Sequence, residues 1–361
     1  MKNDYKELQK QVKPCRFKML YKHPLFGYLI LGIFLVALQL AFMFGDGIVT
    51  LTISRAVATT MIYTIGAMGL GLLLGMGGLV SLGTAAFVGL GAYIAGNLLR
   101  TFAGIPFTVV LLISILTAVV FGTVIGFISL RARGLHLLVI TMAFATIMQE
   151  LFMIPNQFTG GVMGITRVPF PTLALFLQLN RETVYFLVLV IMFALVLLTL
   201  NIINSPTGRA MLAMATSEPL AKAMGVQILK YRVLAFVIAT VYAMIAGVLF
   251  ISSLGAAGPG SWNFLLSLNL LAVVILGGSP RPSSIMMGSF VIFALDLTVL
   301  RNIPFFVRFP SASMILSGIL MILIFAKFPG GLSRLVNEIR GFIWRLFAKW
   351  RLYRYGPEPE V

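Results

Sequence analysis

The sequence predicts an all-α, polytopic transmembrane helix bundle of about 10 spans, with both termini cytoplasmic. Three observations carry that prediction. Hydrophobic residues make up 60% of the 361-residue chain and charged residues only 10%, against about 25% charged in soluble domains. Apolar runs long enough to cross roughly 30 Å of hydrocarbon recur along its length. These runs lack the period-2 alternation of a membrane barrel, which leaves helices as the elements that satisfy their own backbone in lipid.

The spans fall in order at approximately 24–44, 56–76, 79–99, 107–129, 135–153, 183–203, 233–253, 263–277, 284–300 and 310–327. The first follows a basic stretch, as the core of a signal peptide does. Its apolar run is longer than the roughly 7–15 residues of such a core and no small-residue cleavage pattern follows, so it is predicted to span. The pair 263–277 and 284–300 is short. The cluster Gly277-Gly278-Ser279-Pro280-Arg281-Pro282 between them breaks a helix, which makes two tilted or buried short helices.

Charge placement tests the count. With the amino terminus inside, 21 of the 27 Lys and Arg residues fall in or beside cytoplasmic segments, and Arg55, Arg100, Arg167, Arg181, Arg301 and Arg308 fall outside. That is the positive-inside bias. The chain thereby divides into a basic cytoplasmic flank (1–23), a transmembrane domain (24–330) with a cytoplasmic insert at 204–232, and a basic cytoplasmic tail (331–361). In the tail, Leu332, Leu335, Ile339, Phe342, Leu346 and Phe347 share a helical face, with Arg334, Arg340, Arg345, Lys349, Arg351 and Arg354 around them. Such a helix lies in the membrane interface against lipid headgroups. The net charge of +17 therefore reads as topology, and no module supports nucleic-acid binding.

Residues 66–91 hold nine glycines, with Gly71 and Gly75 at G-x-x-x-G spacing. Two readings stand side by side. Small residues let helices approach closely. A Gly77-Gly78 pair followed by Leu79-Val80-Ser81-Leu82-Gly83-Thr84 also breaks a helix, which is tolerated at membrane depth only against protein or a water-filled path. The longest external loop, 155–182, suits irregular backbone or a short re-entrant turn.

The insert opens with a Ser205-Pro206-Thr207-Gly208 turn, continues with helix formers and carries Arg209, Lys222, Lys230 and Arg232. Its length exceeds what joins two helices, which marks it as a docking element. Elsewhere the chain is chemically sparse. It has one cysteine, Cys15, and two histidines, His23 and His136, so no soft-ligand metal cluster is expected. There is no G-x-x-x-x-G-K-[ST] phosphate loop and no nucleophile–base set. The chain is predicted to be no enzyme and to hold no cofactor itself.

Four passages resemble a known family: Gly78–Phe87 continuing through Gly89-Leu90-Gly91-Ala92-Tyr93; Arg131-Ala132-Arg133-Gly134 leading to Thr141-Met142-Ala143-Phe144; Thr159-Gly160-Gly161-Val162-Met163-Gly164-Ile165; and Ser205-Pro206-Thr207-Gly208-Arg209-Ala210, followed by Glu218, Ala223-Met224-Gly225-Val226 and Tyr231–Phe236. In this order, across roughly 55–330, they resemble the integral-membrane permeases of branched-chain amino acid ABC importers. The resemblance implies a bacterial inner-membrane subunit that passes branched-chain or related amino acids. Its implied partners are a sister permease, two ATP-binding subunits that hold the ATP, and an extracytoplasmic substrate-binding protein. It implies that the fourth passage is the ATPase-coupling segment, with Gly208, Arg209, Glu218, Ala223 and Gly225 its coupling residues. Three positions depart from the family pattern: Pro219 after the loop glutamate, Asn269 at an acidic position, and the turn at 277–282. The competing reading is an ion-coupled secondary transporter of a small polar solute, in which 204–232 is only a connector.

Ionisable groups inside a membrane are costly and mark functional sites by default. Glu150 and Asp296 are the two such carboxylates. They either reach the interface and pair there, or line a path for a zwitterion, or (in the secondary-transporter reading) couple the ion. Ser81, Thr84, Tyr93, Thr141, Gln149 and Asn269 are the neutral polar candidates for the same path.

Overall fold

The computed structural model describes residues 24–43, 48–102, 104–128, 135–155, 158–172, 180–278 and 280–299, with 318, 319 and 322 beyond them. Outside these residues lie the basic flank 1–23, the junction 129–134, nearly all of the span expected at 310–327, and the amphipathic tail. Among the described residues the fold is helical and has no strand. Two isolated bridges join Pro106 to Thr172 and Ile165 to Ala257.

The helices, numbered here in chain order, are α1 (Pro24–Met43), α2 (Ile48–Gly75), α3 (Thr84–Thr101), α4 (Phe107–Ile128), α5 (Leu135–Met153), α6 (Arg181–Asn204), α7 (Pro206–Thr216), α8 (Glu218–Ala223), α9 (Ile228–Leu254), α10 (Phe264–Gly277) and α11 (Pro282–Ser289). A π-helical segment, Phe290–Val299, continues α11, and 3-10 turns occur at Gly161–Met163 and Pro259–Trp262. Among the described residues five helices are long and apolar enough to cross a membrane: Thr52–Gly75, Phe107–Ile128, His136–Met153, Glu182–Asn204 and Ile228–Leu254. Shorter apolar helices stand at Leu31–Ala41, Phe264–Gly277 and Pro282–Ala294. The described residues therefore establish a helical membrane bundle.

Helix α9 is its axis, packed against α2, α3 and α4. Small residues make this possible. A Cβ at Gly91 would fall onto the Met244 carbonyl, and one at Gly247 onto the Val88 carbonyl, so α3 and α9 cross nearly backbone to backbone. Polar side chains add ties between helices. Thr240 donates to the Ala118 carbonyl (3.1 Å), and the Thr199 and Tyr242 hydroxyls lie 2.9 Å apart. At the edge, Ser54 of α2 donates to Gln39 of α1 at 2.8 Å.

Three expected segments are corrected. The span placed at 79–99 starts as a helix only at Thr84, because Gly78 adopts φ +65° and ends the preceding structure. The second span reaches back to Ile48. The insert placed at 204–232 is shorter than expected, since α9 begins at Ile228 and takes in Lys230 and Arg232. Gly71 and Gly75 serve packing. Their faces meet Ile285 of α11 and Pro280 of the preceding turn.

Candidate functional site

Two structured regions hold most of the predicted residues: the insert, and the break between α2 and α3.

The insert is two short helices with built stops. Ser205 leaves the helical region (φ −75°, ψ 164°), which ends α6, and its hydroxyl accepts from Gly208 N at 3.1 Å to cap α7. Pro206 starts α7, where a missing N–H costs nothing. Gly208 is buried, and a Cβ there would fall onto the Ile202 carbonyl, so only glycine lets α7 fold back on α6. Ser217 is extended and separates α7 from α8. Pro219 lies in the first turn of α8 and is accommodated for the same reason as Pro206. Gly225, at φ +80°, closes α8. Its N–H donates to the Lys222 carbonyl (3.1 Å), and the Val226 N–H reaches back to Ala221 (3.0 Å).

The predicted coupling residues thus take different places. Arg209 is exposed, with Nη1 donating to the Asn204 carbonyl at 3.1 Å. Ala223 and Gly225 are exposed. Gly208 is a folding residue. Glu218 turns inward, accepting from Arg232 Nη2 at 3.3 Å. Arg232, expected among the basic residues of the docking insert, is buried at the start of α9 and ties the insert to the bundle axis. Outward the insert presents Leu212, Leu220 and Met224, the last two 65% and 79% exposed, beside the exposed Arg209 and Lys222.

The break follows the helix-break reading of the Gly77-Gly78 pair. Residues 79–83 are non-helical, and Ser81, Leu82 and Gly83 are buried. Two of their backbone donors are satisfied by side chains, as buried backbone requires. Leu82 N donates to Thr141 Oγ1 at 3.0 Å, and Gly83 N to Ser81 Oγ at 3.2 Å. Ala85 N, in the first turn of α3, donates to Ser267 Oγ of α10 at 3.0 Å. The break also touches the insert: a Cβ at Gly78 would lie 3.0 Å from the Ala215 Cβ of α7.

Ser81, Thr84 and Thr141 are therefore brought together, and Tyr93 is buried farther along α3. The other four path candidates are not gathered with them. Asn269 is half-buried on α10 and Gln149 half-buried on α5. Glu150 is exposed on α5, and Asp296 is partly buried in the π-helical segment. Sequence reasoning missed Ser267, Ala215 and the Glu218–Arg232 pair. Ser267 alone left a trace, as a hydroxyl inside an apolar run. Among the described residues no group of His, Cys, Asp and Glu is arranged to hold a metal.

Residues 52–325 match the family described as branched-chain amino acid transport system / permease component. Two curated proteins are similar over most of the chain. They are the high-affinity branched-chain amino acid transport system permease protein LivM of Escherichia coli K12 and its namesake in Salmonella typhimurium LT2. Each is 30% identical over 326 residues, covering 84% of this chain and 74% of the relative. No solved structure matches significantly.

Proposed function

The chain belongs to the branched-chain amino acid transport system permease family, and from that premise we propose that it forms the membrane pathway of an ABC importer for branched-chain or related amino acids. It is a multi-pass transport subunit and not an enzyme. It works with other subunits: a sister permease, two ATP-binding subunits that bind and hydrolyse the ATP, and an extracytoplasmic binding protein that delivers substrate. It sits in a bacterial inner membrane with about 10 spans, both termini and the α7–α8 insert facing the cytoplasm.

The observation that carries the coupling role is the capped insert, with Leu212, Leu220 and Met224 exposed, resting against Gly78 at the break before α3. An ATP-binding subunit that grips Leu212, Leu220 and Met224 moves α7, and through Ala215 it reaches the break at Gly78. Arg209 and Ala223 border the same outer surface. The ion-coupled alternative finds no support in the placement of Glu150, which lies exposed on α5 away from the break.

Reconstitution tests this reading. Membrane vesicles holding this permease, its partner subunits and the loaded binding protein are expected to take up labelled leucine only with ATP. Uptake without the ATP-binding subunits that follows an ion gradient would overturn it.

A further inference from the structure

Trp262 and Tyr93 head the largest side chains fully buried in the described bundle, at 1% and 0% exposure. Each keeps a polar atom, the Trp262 indole Nε1–H and the Tyr93 hydroxyl, with no hydrogen-bond partner among the described residues. Other tyrosines of the bundle are placed differently. Tyr242 bonds to Thr199, Tyr185 donates to the Leu35 carbonyl, and Tyr28 accepts from Ser283 N. A residue wanted only for its ring escapes the cost of a buried orphan donor by being phenylalanine. Tyr93 and Trp262 do not.

The two residues belong to one aromatic layer. A Cβ at Gly89 would lie 2.8 Å from Trp262 Cγ and 2.9 Å from Phe152 Cε2, so the indole and the Phe152 ring flank the same point of α3. Phe152 stacks on Tyr93 with centroids 4.4 Å apart, and Phe250 meets Trp262 edge-on at 4.8 Å. The layer lies where two interrupted elements meet. The Pro259–Trp262 turn leads directly into α10, and α10 is tied by Ser267 to the first turn of α3. Interrupted helices are tolerated in a membrane against protein or a solute path. Gly258 and Gly260 have open space where a Cβ would stand, whereas Pro259 and Trp262 of the same turn are buried.

We propose that Tyr93 and Trp262 form a substrate-contact site in the pathway, their two donors taking the carboxylate of the transported amino acid while the Phe152 and Phe250 rings take its aliphatic side chain. Both orphan groups can donate, so the complementary group is an acceptor. The walls are apolar rings, so the rest of the ligand is hydrocarbon. Access requires the Trp262 turn to part from α3 and α5. This inference rests on the transport reading above.

Tyr93→Phe and Trp262→Phe each keep a ring and delete a donor. In the assembled transporter with saturating loaded binding protein, each is expected to lower leucine uptake about tenfold, the scale of one hydrogen bond to a charged group. ATP hydrolysis stimulated by the binding protein should persist. A 5-fluorotryptophan at position 262, with Trp344 and Trp350 changed to Phe, should shift its fluorine resonance on addition of L-leucine and not of leucinol. Wild-type uptake in both variants overturns the proposal. So does joint loss of uptake and stimulated hydrolysis, which marks a folding role, and so does an equal resonance shift with leucinol. If the unmodified transporter takes up no branched-chain amino acid at all, the transport reading itself fails.

Discussion

Arg232 at the start of α9 and Glu218 at the start of α8 meet at 3.3 Å, although 14 residues and two helix ends separate them. The pair fastens the insert to the helix around which the bundle is built. Its members are unequal: the arginine side chain is 9% exposed and the carboxylate 32%. Removing Glu218 leaves a buried cation unpaired, whereas removing Arg232 leaves a carboxylate that water reaches.

Glu218→Ala is therefore expected to destabilise the protein more than Arg232→Met. The difference is about 1–2 kcal/mol, discounted from fully buried pairs because Glu218 is partly solvated. Thermal unfolding of purified single and double variants measures it. If the double variant equals the sum of the singles, the pair carries no coupling.

Gly78 combines a left-handed backbone with contact to Ala215. Gly78→Ala is expected to cost about 1–2 kcal/mol, since φ +65° is strained for a side chain and Ala215 must give way. In a Cys15→Ser background, Gly78→Cys with Ala215→Cys should cross-link under mild oxidation. The cross-linked transporter should lose uptake and regain it on reduction. Undiminished uptake while cross-linked would show that the insert need not move against the break.

Thr141→Val removes the acceptor for the Leu82 N–H, and Ser267→Ala removes that for the Ala85 N–H. Each strands a buried donor at the break, at about 1–3 kcal/mol. Both should lower the melting temperature, and Thr141→Ser should restore most of the loss at its position. An unchanged melting temperature in both variants would mean the break takes its support elsewhere.

Leu220→Asp and Met224→Asp place charge on exposed apolar positions of the insert. Neither side chain is buried, so melting should move by less than about 0.5 kcal/mol equivalent. Association with the ATP-binding subunits in pull-down should weaken about tenfold or more, as desolvating an unpaired charge at an interface requires. Retained association would move the contact to another face.

Glu150→Gln should leave leucine uptake near the wild-type rate, because Glu150 faces outward from α5. Loss of uptake together with loss of dependence on an ion gradient would revive the coupling role set aside above.

Much of the architecture is legible in composition. Runs such as 107–129 and 233–253 are apolar over a membrane's thickness, and hydrophobicity over that length needs no tertiary information to specify a helix. The stops at Ser205-Pro206 and Gly277-Gly278 are legible too, because they act through local backbone chemistry. The Gly77-Gly78 break showed itself as a choice between packing and interruption. Choosing required a neighbour, since packing glycines such as Gly71 and breaking glycines such as Gly78 look alike in sequence.

By itself, then, the sequence determined that this is a helical membrane permease with a structured insert, because hydropathy, capping and family motifs are local properties of the chain. Only the tertiary structure decided what the polar residues do. Arg232 became a strut, Thr141 and Ser267 became acceptors for a broken helix, and Glu150 was left outside. Trp262 came to share a layer with Tyr93. Each outcome depends on which helices α9 gathers around it, and in a bundle of similar apolar helices that order is set by close packing across the chain, which no local pattern records.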